Sequence, residues 1–105
     1  MENTVLEKFH QGRQSLGTFS AIGSPLAVES LRYTGLDYVI VDTEHSPAGI
    51  ESAAAQIAAA QGAGLTALAR ANEISRTAVL RLLDVGAQGV VVPCVETVEE
   101  VRELV

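Results

Sequence analysis

Between residues 36 and 47 the chain reads LDYVIVDTEHSP, and Asp42, Glu44 and His45 place two carboxylates and an imidazole within four positions. An imidazole takes up a proton near neutral pH, and a neighbouring carboxylate raises its basicity, so this cluster suits general acid–base work. Further along, Arg70 and Asn72 stand in ALARAN, and Glu96 follows GVVVPC. Arginine presents a fixed fork of donors that fits a carboxylate or a developing enolate oxygen. Its competing role is an ion pair with one of the acids. Lys8 is the only lysine and sits in the N-terminal segment, so a Schiff-base mechanism lacks its nucleophile. Activation of a carbonyl would need a metal instead. Asp42, Glu44 and His45 are crowded for a common ion, which favours a base or supporting role over ligation.

These residues sit where strands should stop. Tyr38-Val39-Ile40-Val41 is a continuous apolar run, as expected of a strand buried on both faces of a parallel sheet. Ser46-Pro47 then offers a capping hydroxyl and a preset φ for a helix. The same rhythm runs through the chain. A first helix is expected from a capping box of Thr4 and Glu7, with Val5, Leu6 and Phe9 as its apolar stripe and Gly12 as its stop. SLGTFSAIG is a strand ending at Gly23, and PLAVESLRYT is a helix that stops at Gly35. After the opening strand comes a helix from Gly49 to Gln61, with Ile50, Ala53, Ala54 and Ile57 on one face.

LTALARAN is the third strand. Ile74 and Val79 staple a helix capped at Ser75 that carries Leu80, Leu82 and Leu83 and ends at Gly86. GVVVPC is the fourth strand, and Thr97 with Glu100 boxes the start of a last helix. Gly62-Ala63-Gly64 precedes a strand, which makes it a helix stop and not a phosphate loop. His10 is expected at the surface, and Cys94 is expected as a small buried side chain, not a nucleophile.

The outcome is α/β: an N-terminal helix and four βα units, hence a parallel sheet with right-handed crossovers. Two architectures fit. One is the front half of a (β/α)8 TIM barrel; the alternative is a small doubly wound parallel sheet serving as a non-catalytic binding or assembly module. Strands that all point one way bring Gly23, Ser24, Asp42, Glu44, His45, Arg70, Asn72 and Glu96 to a single rim.

Composition narrows the setting. At 48% hydrophobic and 19% charged, the 105 residues are those of a packed domain and not of a disordered tail. A formal net charge of −6 disfavours nucleic acid and anionic membranes as partners. A lone cysteine, an acidic N-terminus without an apolar core and no long apolar run point to a cytoplasmic protein.

At DYVIVDTEHSP, ALARAN and LLDVGAQGVVVPCVET the sequence resembles the metal-dependent class II aldolases of 2-oxo acids. This is the HpcH/HpaI (hydroxy-oxoheptanedioate aldolase-like) family, in the citrate lyase β superfamily. The resemblance implies a (β/α)8 barrel, assembled as a homo-oligomer, usually a hexamer. The implied reaction is reversible cleavage of a 4-hydroxy-2-oxo acid to pyruvate, or a related oxo acid, and an aldehyde through a metal-stabilised enolate. By resemblance His45 is the general acid/base, Arg70 stabilises the enolate and Asp84 raises the basicity of the histidine. Asp42 and Glu44 support them. A divalent metal of the Mg, Mn or Co class is implied, with ligands expected beyond residue 105 and none in this chain. Residues 1–105 then form a single partial domain, the N-terminal half of an aldolase barrel, expected to be inactive alone.

Overall fold

The computed structural model describes residues 2–43 and 49–105. Four helices begin where a short polar side chain takes up an orphan backbone N–H. Asn3 caps α1 (Thr4–His10) by accepting from the Leu6 N–H, and Ser24 caps α2 (Pro25–Ser30), which runs on into a 3-10 turn, Leu31–Tyr33. Ser75 caps α4 (Arg76–Asp84), and Thr97 and Glu100 form a reciprocal capping box on α5 (Val98–Leu104). The remaining helix, α3 (Ile50–Gly62), starts from Gly49 without a side-chain cap. The first cap corrects the expectation of Thr4: its N–H donates instead to Thr66 Oγ1, tying the helix to the sheet.

Three helices end in the same joint. At Gly12, Gly64 and Gly86 the chain turns through φ of +68°, +82° and +104°. The following N–H reaches back to a carbonyl five residues earlier, Arg13 to Lys8, Leu65 to Ala60 and Ala87 to Leu82. This is the Schellman closure, which glycine enters without a Cβ penalty.

The strands are β1 (Gly17–Ser20), β2 (Tyr38–Asp42), β3 (Thr66–Arg70) and β4 (Gly89–Val91). All pairs are parallel and the sheet order is β1-β2-β3-β4. A doubly wound sheet needs a point at which this order reverses; here the order follows the chain, as in the front half of a (β/α)8 barrel. β1 and β4 are shorter than the sequence indicated. Pro93, which has no N–H to donate, follows β4 closely.

Helices α2, α3 and α4 pack on one face of the sheet. There Val39 and Val41 of β2 and Ala67 and Ala69 of β3 are sealed under Ala53, Ile57 and Ala60 of α3, with Val28 and Leu82 alongside. Alanine on both surfaces lets α3 lie close to the strands. One polar chain crosses this core: Ser20 Oγ donates to Gln56 Oε1 at 2.8 Å, Gln56 Nε2 to Ser52 Oγ at 3.2 Å, and Ser52 Oγ to the Gly23 carbonyl at 3.3 Å. It ties the turn after β1 to α3 and leaves no buried polar atom unsatisfied among the described residues.

The opposite face carries the row Phe19, Ile40, Leu68 and Gly89, and two residues further on the row Asp42, Arg70 and Val91. Beneath the strand starts, Lys8 Nζ lies 2.7 Å from Asp37 Oδ1, while Asp37 Oδ2 accepts the Leu16 N–H at 2.9 Å. The only lysine is thereby fixed at the end of the sheet away from the rim. No helix among the described residues is long and apolar enough to cross a membrane.

Candidate active site at the carboxyl ends of the strands

Asp42 and Arg70 are the last residues of β2 and β3 and are register partners. Parallel pairing therefore sets their side chains next to one another on the face away from the helices. Arg70 Nε donates to Asp42 Oδ1 at 3.2 Å and Nη2 to Oδ2 at 2.5 Å, a two-pronged charge-assisted pair. Asp42 is only 2% exposed. Thr43 secures the same strand ends from behind: its N–H donates to the Arg70 carbonyl at 3.2 Å, and its hydroxyl donates to that oxygen as well. From Arg70 the guanidinium reaches back across β2, so that Cζ stands 4.9 Å from the centre of the Phe19 ring on β1. Three strands thus converge on one cation.

The ion pair was the competing role for Arg70, and the structure shows it. The two roles are compatible, because a guanidinium held along one edge is better oriented, not neutralised in its chemistry. Asp42 thereby pairs with Arg70; its expected support of the histidine concerns a residue outside those described. Glu44, His45, Ser46 and Pro47 lie outside the described residues, so the proton-transfer assignment of His45 and the supporting role of Glu44 have no geometry here.

Asp84 is not brought to this site. It ends α4, exposed, below the strand starts, and α4 runs about 13 Å back from the rim at 1.5 Å per residue. Asn72 and Glu73 are at the rim but on its helix side. With Thr43, Ile50, Thr77 and Arg81 they line a cleft of about 170 Å³ between the start of α3 and α4. Cys94 corrects another expectation: it is exposed, with φ of +57°, in the turn that follows β4. The turn conformation carries it away from the core. His10 is exposed, as expected.

A divalent metal does not fit the residues described. No three His, Cys, Asp or Glu side chains come together among them, and Asp42 uses both carboxylate oxygens on Arg70. Phe19 is the member of the site that sequence reasoning missed. Its only signal was an aromatic residue in a strand, which says nothing about which face it occupies until the register is known.

Residues 15–105 match the family model for the HpcH/HpaI aldolase/citrate lyase family. The chain belongs to this family. Among curated relatives, the hydroxypyruvate/pyruvate aldolase of Roseovarius nubinhibens is 33% identical over 103 residues, covering 98% of this chain and 40% of the relative. A 5-keto-4-deoxy-D-glucarate aldolase of Escherichia coli is 32% identical over 90 residues, covering 86% of this chain and 35% of the relative. Among solved structures, an HpcH/HpaI aldolase from Desulfitobacterium hafniense superposes with a TM-score of 0.86 at 33% identity, over 97% of this chain and 40% of that one. The citrate synthase SbnG does so with a TM-score of 0.87 at 31% identity, over 95% and 41%. The chain therefore spans about 33–40% of the length of the first curated relatives it matches.

Proposed function

We propose that residues 1–105 are the N-terminal part of a class II aldolase barrel that cleaves 4-hydroxy-2-oxo acids to pyruvate, or a related oxo acid, and an aldehyde. One observation carries the reading: in a chain of this family, the Arg70 guanidinium is paired with Asp42 at the carboxyl rim of a parallel sheet, where barrel enzymes keep their chemistry.

In this proposal His45 takes the proton from the C4 hydroxyl of the substrate. The C3–C4 bond then breaks, the aldehyde carbonyl forms, and the bonding electrons pass to C3 and the 2-oxo group as the pyruvate enolate. Arg70 faces the developing enolate oxygen with donors that need no reorganisation. Protonation at C3 completes pyruvate, and the reverse order makes the bond. The divalent metal implied by the family has its ligands beyond residue 105, and the complete enzyme is a cytoplasmic homo-oligomer. Asp84 acts on a histidine only across a subunit contact, since α4 carries it away from its own rim.

The test joins this chain to the C-terminal remainder of the Desulfitobacterium hafniense aldolase and assays pyruvate release from a 4-hydroxy-2-oxo acid with Mg, Mn or Co present. Release by the fusion, lost in His45→Ala and absent from residues 1–105 alone, is the expected result. A folded, metal-loaded fusion without activity sinks the reading, and strong release from the isolated chain refutes the need for the missing part. Asp84→Asn in the active fusion is expected to move the pH–rate profile; an unmoved profile removes Asp84 from the site.

A further inference from the structure

We infer that Phe19 is a positioning residue for Arg70, holding the guanidinium in the plane from which it meets a 2-oxo acid; the inference rests on the oxo-acid reading of the rim. The bidentate contact with Asp42 fixes one edge of the guanidinium. The Phe19 ring, its centre 4.9 Å from Cζ, adds a contact from β1. Carboxylate and ring thus hold the guanidinium from two neighbouring strands.

The register explains why this residue does it. Phe19, Ile40 and Leu68 share a row, and Arg70 lies two residues beyond Leu68 on the same face. Phe19 is thus two strands across and one pleat lower, a diagonal that a long arginine side chain spans by lying over β2. Phe19 is also 52% exposed, so its ring adds little to the core that holds the fold. A cation over an aromatic face is attracted by the ring quadrupole.

The test uses the fusion described above, metal-loaded and with ¹⁵N-labelled arginine, comparing the parent, Phe19→Leu and Phe19→Tyr by the Arg70 Nε–Hε resonance, thermal midpoint and pyruvate titration. The parent and Phe19→Tyr are expected to share a ring-shifted Arg70 resonance and the same pyruvate affinity. Phe19→Leu is expected to lose the ring shift and bind pyruvate roughly two- to fivefold more weakly, with a thermal midpoint close to the parent's. An unmoved Arg70 resonance with unchanged affinity in Phe19→Leu overturns the inference. If that variant unfolds, Phe19→Met is read by the same criteria. Failure of the metal-loaded parent fusion to bind pyruvate overturns the oxo-acid reading and the inference with it, and is told apart by affecting all variants equally.

Discussion

Arg70→Ala takes the guanidinium away from a carboxylate that water barely reaches. Asp42 is 2% exposed, and burying a charge without its cation is the expensive half of a broken ion pair. Arg70→Ala is therefore expected to destabilise the chain by about 3 kcal/mol in urea unfolding. Asp42→Ala should cost less, because the Arg70 side chain is 21% exposed and reaches water by itself. Equal losses would refute this asymmetry. At this scale the sequence showed the residue types and the rim on which they meet. It could not show that Asp42 serves Arg70, because that pairing depends on which residue of β3 stands opposite residue 42. Nor could it show Phe19, whose partner is 51 positions away in sequence and two strands away in space.

The inner face of the sheet has its own packing rule at the level of elements. Gly17 lies under the ring of its register partner Tyr38, where a Cβ would stand 2.3 Å from the ring. Gly89 lies under its partner Leu68 in the same way, at 2.7 Å. The outer strands give up a side chain so that those of the middle strands can lie flat over them. Gly17→Ala is expected to force the Tyr38 ring aside and cost about 1–3 kcal/mol, read as a lower urea midpoint with an unchanged slope. A stability equal to wild type would show that the ring moves freely. The helix stops at Gly12 and Gly86 were legible because only a residue without Cβ enters those turns easily. Cap and strand limits were less so. Asn3 and Thr4 are both good caps, and contact with Thr66 on a distant strand decided between them. Val92-Pro93-Cys94 extends an apolar run, yet turn geometry takes Cys94 to the surface.

Across the whole molecule, α1 is coupled to the sheet at its lower end. The Lys8 ammonium, and after it the Leu16 N–H, hold the Asp37 carboxyl below its ordinary pKa. A carboxylate with a depressed folded pKa contributes stability above its unfolded value, near 4, and loses it as pH falls through the folded one. Asp37→Asn is expected to lower the urea midpoint at pH 7 and to shrink the further loss of stability below about pH 4. An identical acid limb in both proteins would remove Asp37 from that transition. The α/β class and the run of four βα units were readable from rhythm alone. The strand order was not, since both candidate architectures share the same string of elements. The contact between Lys8 and Asp37 has a practical consequence. A chain with one lysine offers an amine-reactive label only two targets, that side chain and the α-amine. With the lysine held at 2.7 Å by a carboxylate, native protein should take up label at this side chain only when the N-terminal helix lets go. Counting labels by mass spectrometry would then time the opening of the barrel floor, one molecule at a time.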